Sequence, residues 1–299
     1  MDPQKLEQHL ELLKRGHYSV LPLTEALQLL RAGTLPPRSV VITFDDGAHD
    51  FYRQAYPRLM NYGYPVTVYL TTYYTSCELP VFNLICSYML WKVRGEVISN
   101  GAEIGLNGPL DLRTETGRHE IVCRLTEMTE REHMTGRQKD AAAARLARFL
   151  KLDFDSLKSK RILQLMNAHE VQEIARTGAD IQLHTHRHRT PEEEALFRRE
   201  IQDNRACIRE LISREAVHFC YPSGVYRPMF LPWLKEEHVV SATTCDAGLA
   251  TRRSESLLLP RFIDNQNRMP IEFESWLTGV GDLLAVRRAA TQRYIPRRG

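Results

Sequence analysis

The chain has 299 residues, of which 43% are hydrophobic, so it is long and apolar enough to bury a sizeable core. Lys and Arg number 40 against 37 Asp and Glu, a net charge of +3, and this near balance gives no argument for nucleic acid binding, so no nucleic acid partner is expected. The arginines are scattered except for a C-terminal cluster from Arg287 to Arg298, which we expect to be a solvated tail. The cysteines have neither CxxC nor disulfide-framework spacing, and reduced, mostly buried thiols are expected.

The sequence contains no apolar signal segment at its start and no long uninterrupted apolar run. It therefore predicts a cytoplasmic protein without a transmembrane segment. Its oligomeric state is not predicted.

Strand and helix patterns alternate over the first 72 residues. The sequence predicts, in chain order, a helix over 4–15, a strand over 18–21, a helix over 25–31, a strand from Val40 to the Asp45-Asp46 pair, a helix over 51–62 and a strand over 65–70. Thr24 is the expected N-cap of the second helix and Gly33 its stop. Strand, helix and strand joined by short connections predict parallel pairing.

The alternation breaks between about residues 73 and 167, where helical patterns dominate. Helices are predicted over 82–91, 119–129 and 139–150, with a small hairpin over 100–111. The expected organisation is a single domain over 1–299 that this mostly helical insertion interrupts. A lid that shapes the substrate site and a plain structural insert are both open readings of it.

Alternation resumes after the insertion and continues almost to the C-terminus. The predicted elements are helices over 171–177, 191–213, 230–236 and 270–278, and strands over 180–183, 217–220, 239–243 and 257–262. At least six strand-helix units with polar residues after the strands are typical of an α/β fold. We predict a distorted barrel of about seven parallel strands, with its chemistry at their C-terminal ends.

Two adjacent carboxylates, Asp45 and Asp46, end the strand that begins at Val40. Neighbouring side chains on a strand point to opposite faces, so both can serve one site only where the strand is ending. Two neighbouring acids also repel each other unless a cation or a proton separates their roles. Taken alone, Asp-Asp-Gly is more typical of an ordinary turn between a strand and the next element.

Three histidines, His184, His186 and His188, follow the predicted strand over 180–183. His184 and His188 with one carboxylate would give a divalent metal three protein ligands and leave a position for water, which is the open arrangement of a catalytic zinc site. The alternative is a polar loop that happens to be rich in histidine.

With these residues the chain resembles the polysaccharide deacetylases that contain the NodB homology domain, carbohydrate esterase family 4. Thr43-Phe44-Asp45-Asp46-Gly47 matches the first motif of that family, and His184-Thr185-His186-Arg187-His188 matches the second. Phe219-Cys220-Tyr221-Pro222-Ser223-Gly224 looks like a variant of the third, and Leu259-Pro260-Arg261 is similar to a segment of one branch. The resemblance covers roughly residues 5–72 and 168–265 and leaves out the insertion.

The resemblance implies a hydrolase that binds one divalent metal ion and acts on carbon–nitrogen bonds other than peptide bonds. It implies Asp46, His184 and His188 as the metal ligands, Asp45 as the general base and the backbone N–H of Tyr221 as a donor to the oxyanion. Zn²⁺ is the expected ion, although sites with nitrogen and oxygen ligands also accept other first-row ions.

The sequence departs from the family pattern at two places. The third motif usually carries an arginine that steadies the catalytic aspartate, and Cys220 stands there; Arg261 is the expected substitute. The C-terminal Leu-x-His-Asp segment that supplies a catalytic acid is absent, since no histidine follows His238. The general acid is therefore unassigned, with His186 and a metal-bound water as candidates.

The expected substrate is an amino sugar in a polysaccharide, glycolipid or sugar precursor, from which an N-acyl and above all an N-acetyl group is removed. Tyr73, Tyr74 and Trp91 could stack on sugar rings or simply belong to the core. Two alternatives stay open: hydrolysis of a non-sugar cyclic amide, and a carbohydrate-binding homologue whose chemistry has decayed.

Overall fold

The structure is a computed structural model that describes residues 2–77 and 79–283, without the side chains of Ser76 and Cys77. The basic C-terminal cluster lies outside the described residues. No helix in the described part of the chain is long and apolar enough to cross a membrane.

Helices and strands account for most of the described chain. The α-helices are α1 (Pro3–Arg15), α2 (Leu23–Ala32), α3 (Tyr56–Asn61), α4 (Tyr73–Cys77), α5 (Phe82–Lys92), α6 (Glu115–Arg131), α7 (Gly136–Phe149), α8 (Phe154–Ser159), α9 (Ala168–Arg176), α10 (Glu194–Ile212), α11 (Phe230–Glu236) and α12 (Pro270–Leu277). The strands are β1 (Ser19–Val20), β2 (Ser39–Val40), β3 (Thr43–Asp46), β4 (Thr67–Leu70), β5 (Val97–Ile98), β6 (Leu110–Asp111), β7 (Asp180–Leu183), β8 (His218–Cys220) and β9 (Ser241–Thr243).

The chain divides into two compact units. Of the described residues, the first unit contains those up to Tyr73 and those from 168 to 283, and the second contains those within Tyr74–Asn167. Every residue that the sequence predicts for catalysis or metal binding lies in the first unit.

The first unit is built on a parallel sheet with strand order β3-β4-β7-β8-β9. All four residues of β4 are buried, which is typical of a parallel strand covered on both faces. Because every strand runs in the same direction, their carboxyl ends meet at one edge of the sheet. Asp46 ends β3 there, His184 follows β7 and Tyr221 follows β8.

The sheet curls strongly. Strands β3 and β8 are separated by β4 and β7, so in a flat sheet they would lie about 14 Å apart. Instead the Cys220 Sγ atom is 3.6 Å from Asp45 Oδ2, and Tyr69 and Cys220 are buried together on the inner side. With the parallel pair β1-β2, this half-barrel confirms the predicted α/β fold of short parallel strands.

Several element boundaries differ from the sequence-based expectation. The predicted strand from Val40 is two short strands, because β2 pairs with β1 whereas β3 pairs with β4. The segment over 257–262 contributes a single parallel bridge, from Leu259 to Thr243, rather than a strand. The long helix begins at Glu194 and not at Pro191.

Two local predictions fail for identifiable reasons. Pro22 rather than Thr24 precedes the first residue of α2, and the Thr24 hydroxyl lies 2.9 Å from Nε2 of His218 instead of capping the helix. The helix expected over 51–62 opens with a π-helical turn, Phe51–Ala55, before α3. Pro57 explains that wider turn, because it has no N–H and its ring crowds the preceding turn.

The second unit is mostly helical and has a core of its own. Helices α5, α6 and α7 bury apolar side chains against one another, among them Met89, Leu125 and Leu146. Strands β5 and β6 pair antiparallel, so the predicted hairpin is present, although its first strand lies before the predicted start at residue 100. Trp91, an expected sugar-stacking candidate, is 47% exposed on α5.

Candidate functional site

Asp45 and Asp46 are the last two residues of β3, and the backbone turns sharply there. Asp46 has a φ of 68° and Gly47 a φ of 80°, so the chain enters the left-handed region as the strand ends. This turn breaks the strand alternation that would otherwise send the two carboxylates to opposite faces. Both therefore take part in contacts at the carboxyl edge of the sheet.

The three predicted metal ligands converge on one point. Asp46 Oδ1 lies 3.1 Å from Nε2 of His184 and 3.2 Å from Nε2 of His188. One ligand atom from each residue lies within 4.8 Å of the other two. A carboxylate oxygen and two imidazole nitrogens form the kind of donor set that a divalent first-row ion takes.

The hydrogen bond on the other side of His184 shows why this donor set fits a cation. His184 is buried, and its Nδ1 is 2.8 Å from the carbonyl oxygen of Cys220, which can only accept. Nδ1 must therefore carry the hydrogen, and in a neutral ring Nε2 directs a lone pair at Asp46 Oδ1. Two lone pairs at that distance repel unless a cation or a proton lies between them, so the residues present fit a metal ion.

The electrostatics of the cluster also favour a positive charge between Asp46 and the two histidines. Burial opposes ionisation of Asp46, but hydrogen bonds and charge from His184 and His188 hold its pKa far below the ordinary range. Burial alone would lower the pKa of His184, yet the neighbouring Cys220 and Asp46 raise it well above the ordinary value. The cluster thus has an ionised carboxylate and attracts positive charge.

Asp45 has a different partner, the guanidinium of Arg261. Arg261 donates from Nη1 to Oδ1 at 2.7 Å and from Nη2 to Oδ2 at 2.5 Å, while its Nε donates to the carbonyl of Thr244. Burial opposes ionisation of Asp45, but the hydrogen bonds from Arg261 and the positive charges of His184 and Arg261 together outweigh it, so the pKa of Asp45 is lowered. The sequence placed Arg261 at this carboxylate, and the structure has it there.

Cys220 lies beside this ion pair, at the position where the third motif usually carries an arginine. Its Sγ atom is 2.9 Å from Nη2 of Arg261. The small thiol leaves room for a guanidinium that reaches in from the segment after β9. The arginine therefore approaches Asp45 from a different part of the chain.

Tyr221 is not placed as the sequence predicted. Its backbone N–H donates to the carbonyl oxygen of Thr243 at 3.1 Å, and its hydroxyl donates to the carbonyl of Leu257. The reason is that the pairing of β8 with β9 continues one residue past Cys220. The N–H expected to bind the oxyanion is thus already engaged, which corrects that expectation for this structure.

Ser223 offers a backbone donor that the sequence reasoning missed. It is exposed, has a φ of 55° in the short 3-10 turn Pro222–Gly224, and its N–H has no acceptor among the described residues. The Pro-Ser-Gly sequence is a turn signal, but the direction of its N–H groups depends on where the strand pairing ends.

His186 lies on the same loop as the two histidine ligands but faces other partners. Its Nδ1 is 2.8 Å from the Thr72 hydroxyl, and its ring meets that of Tyr73 edge-on. Burial and the nearby Arg187 lower its pKa. A proton-donating role for His186 stays a hypothesis.

Two further polar residues near the site were not singled out from the sequence. Glu200 and Asn204, on α10, are 1% and 0% exposed, and both hydrogen-bond to the histidine loop. The sequence did contain a signal for them. One charged and one amide side chain lie one helical turn apart, among the apolar residues Phe197, Ile201 and Ile208.

The curled parallel sheet with this cluster at its carboxyl edge defines a NodB-type α/β half-barrel. The family model described as polysaccharide deacetylase matches residues 32–148 and 133–239, which is more than half of the chain. The chain therefore belongs to the polysaccharide deacetylase family, a family of hydrolases that act on carbon–nitrogen bonds of amides.

Similar proteins agree with that assignment. YxkH of Bacillus subtilis (strain 168), named for this family, is 37% identical over 68 residues, which are 22% of this chain and only 24% of that relative. The Streptococcus pyogenes deacetylase PplD, solved in complex with acetate, superposes with a TM-score of 0.59 at 19% identity over 92% of this chain and 86% of its own. IcaB from Ammonifex degensii gives 0.56 at 16% identity, over 94% and 90%. At such identities the two structures show the shared fold.

Proposed function

We propose that this protein is a metal-dependent hydrolase that removes an N-acetyl group from an amino sugar in a polysaccharide, glycolipid or sugar precursor. The observation that carries the proposal is the convergence of Asp46, His184 and His188 beside a carboxylate, Asp45, that is not part of that triad. Membership of the family supports the reaction type, and the acetate complex of PplD supports acetyl as the group released.

The proposed roles follow from the partners of each residue. Asp46, His184 and His188 would hold the ion, for which Zn²⁺ is the first candidate. A divalent ion bound there supplies Lewis acidity, which polarises the amide carbonyl and makes water more acidic. Asp45 accepts the proton of the attacking water at Oδ1, which keeps a further lone pair beyond the hydrogen bond from Arg261, whereas Oδ2 also faces the Cys220 thiol.

The remaining steps concern the oxyanion and the leaving amine. The backbone N–H of Ser223 is our candidate donor to the oxyanion, in place of that of Tyr221. Asp45, once protonated, can return that proton to the amine nitrogen as the carbon–nitrogen bond breaks. One water molecule is consumed, and the products are acetate and the free amine.

The test is a measurement of released acetate from N-acetylated nucleotide sugars and chito-oligosaccharides, with cyclic amides assayed by ring opening. We expect acetate from at least one sugar substrate. Asp45→Asn should retain the metal and lose about 10²- to 10⁴-fold in turnover, because a neutral amide cannot take the proton. Asp50→Asn, an exposed carboxylate five residues along, is the matched control and should hydrolyse normally.

Three results would overturn this proposal. Turnover by Asp45→Asn at the wild-type rate would remove Asp45 as the base. Ring opening of cyclic amides without acetate release from any sugar would assign the protein to the cyclic-amide alternative, and binding of glycans without any hydrolysis would indicate a decayed homologue.

A further inference from the structure

The loop that carries the two histidine ligands has a strained backbone. Thr185 has a φ of 62° and His188 a φ of 55°, which is the left-handed region that side chains with a Cβ rarely adopt. A β-branched residue such as Thr185 is especially unfavourable there. Such a conformation persists only where the surroundings determine it, so the contacts of this loop identify what holds it.

Asn204 makes the first of these contacts, from inside the fold. Its Oδ1 accepts the backbone N–H of His184 at 2.9 Å, and its Nδ2 donates to the Leu70 carbonyl at 2.9 Å and to the Thr72 hydroxyl at 3.0 Å. The fully buried amide thereby joins the residue after β7 to the end of β4. It thereby fixes the position of the His184 backbone relative to the end of β4, and with it the position of the His184 ring.

Glu200 makes the second set of contacts, four residues earlier on the same face of α10. Its Oε2 accepts the backbone N–H of Arg187 at 2.8 Å, and its backbone carbonyl accepts the N–H of His186 at 3.1 Å. Its Oε1 accepts from Nη1 of Arg187 at 3.0 Å and from Nε of Arg189 at 2.8 Å. The negative charge of this carboxylate, which is only 1% exposed, is compensated by hydrogen-bond donors and positive charges of the loop that it holds.

Three backbone N–H groups of the histidine loop therefore donate hydrogen bonds to residues of α10. Those of His184, His186 and Arg187 are accepted by the Asn204 side chain, the Glu200 carbonyl and the Glu200 carboxylate. The N–H of His184 is buried and those of His186 and Arg187 lie in half-buried residues, so each needs a hydrogen-bond acceptor. These acceptors come from α10. Without them the loop would hydrogen-bond to water and could take another conformation.

We propose that Glu200 and Asn204 are positioning residues of the metal centre, which act on the ion through the backbone of residues 184–189. They hold the strained loop in the one conformation in which His184 and His188 both face Asp46. The inference rests on the proposed function, because it concerns the same site. Neither residue is one of the three proposed metal ligands.

The experiment measures the Zn²⁺ dissociation constant of the full-length protein by competition with a chromophoric chelator. Glu200→Ala and Asn204→Ala should each weaken Zn²⁺ binding about 10- to 100-fold, which is the usual effect of removing a group that orients a metal ligand. The absorption spectrum of the Co²⁺-loaded variants should change as well, because the ligand geometry differs. Glu210→Ala, an exposed carboxylate on the same helix, and Gln202→Ala should bind Zn²⁺ like the wild type.

Glu200→Gln separates positioning from mere folding. The glutamine keeps an acceptor for the Arg187 N–H but loses the charge that Arg187 and Arg189 face, so it should recover part of the affinity lost in Glu200→Ala. A purely structural role would lower the melting temperature without changing the Zn²⁺ dissociation constant or the Co²⁺ spectrum of the folded protein. Should Glu200→Ala fail to fold, Glu200→Gln and Asn204→Ala decide the question.

The failures of the two proposals are distinguishable. If the wild type binds Zn²⁺ and the folded variants bind it equally well, this inference is wrong and the proposed function stands. If the wild type binds no divalent ion, the metal-dependent function itself fails, and the positioning role fails with it.

Discussion

Asp45 and Asp46 are neighbours in sequence, yet they have separate partners in the structure. Asp46 faces two imidazoles, whereas Asp45 forms a two-pronged ion pair with Arg261. Two adjacent carboxylates are tolerated here because each faces positive charge or nitrogen donors of its own. The division matches the proposed roles, with one acid for the metal and one for water.

Arg261 gives a prediction at the level of single residues. Arg261→Ala leaves Asp45 without its partner, and Arg261→Lys replaces a planar fork by a point charge that cannot make both contacts. A charge-assisted hydrogen bond contributes about 1.5–3 kcal/mol, so we expect kcat/KM to fall about 10- to 100-fold for alanine and less for lysine. Steady-state kinetics measure this effect.

The exposed Arg253, eight residues earlier, provides the control for that measurement. Arg253→Ala should leave kcat/KM unchanged. A kcat/KM for Arg261→Ala within twofold of the wild type would mean that the ion pair does not serve catalysis.

Individual site residues were predictable to different degrees. His184 and His188 could be grouped with one of the two carboxylates from the sequence, because the carboxyl ends of parallel strands meet at one edge. The choice of Asp46 over Asp45 came from the family resemblance. The engagement of the Tyr221 N–H could not, since it depends on how far β8 pairs with β9, and no local pattern encodes that length. Glu200 and Asn204 were not predicted, because the pattern that identifies a helix is its apolar stripe and does not show which polar residues on that stripe contact a loop.

At the level of elements, one buried histidine joins three of them at the end of the sheet opposite the site. His218 begins β8, its Nε2 is 2.9 Å from the Thr24 hydroxyl on α2, and its Nδ1 is 2.8 Å from the Ser241 hydroxyl on β9. A neutral imidazole can satisfy both contacts, since it has one donor and one acceptor. Burial lowers the pKa of His218, which favours that neutral form.

This lowered pKa makes stability depend on pH in a definite direction. The unfolded chain has a histidine pKa of about 6.5 and binds a proton there that folded His218 resists, so protonation favours unfolding. We expect the contribution of His218 to the free energy of unfolding to be complete above about pH 7 and to be lost as the pH falls below about 6.5, by at most about 1.4 kcal/mol per pH unit. Urea denaturation at a series of pH values measures it.

His218→Asn should flatten that part of the pH dependence. His238→Asn is the matched control, because His238 is exposed and its φ of 56° is one that asparagine tolerates. An unchanged pH dependence in His218→Asn would contradict the assignment.

Most elements were found from the sequence, but many of their boundaries were not. β7 and α11 begin and end where the pattern placed them. The run from Val40 to Asp46 reads as one strand because hydrophobic periodicity cannot show that its two ends pair with different partners, β1 and β4. Thr24 was expected to cap α2, but only the tertiary fold brings His218 to its hydroxyl.

At the scale of the whole molecule, the predicted α/β class holds because strand-helix alternation leaves few alternatives to parallel pairing. The curl of the sheet was also expected, as part of the predicted barrel. The burial of Tyr69 and Cys220 together inside the half-barrel was not, since it depends on tertiary packing. The use of the segment Tyr74–Asn167, as lid or as structural insert, remains a prediction.

The separate core of the second unit gives a prediction of its own. Leu146 is 1% exposed there, and Leu146→Ala should lower the stability of that unit by about 2–5 kcal/mol through the cavity it leaves. Zn²⁺ affinity should not change, because all the proposed ligands belong to the first unit. Native-state hydrogen exchange of second-unit amides, with Zn²⁺ competition on the same sample, measures both.

Leu84→Ala is the control for this substitution, since Leu84 is 41% exposed in the same unit. Its hydrogen exchange should match that of the wild type. Loss of Zn²⁺ affinity in folded Leu146→Ala would show that the second unit contributes to the metal centre.

The most direct test of the proposed metal-dependent hydrolase is the rate of acetate release as Zn²⁺ is returned to chelator-treated protein, with an N-acetylated amino sugar as substrate. We expect no release without metal and a rate that rises to a plateau at about one equivalent of Zn²⁺ per chain, as a single three-ligand site requires. Full hydrolysis by the metal-free protein would contradict the account.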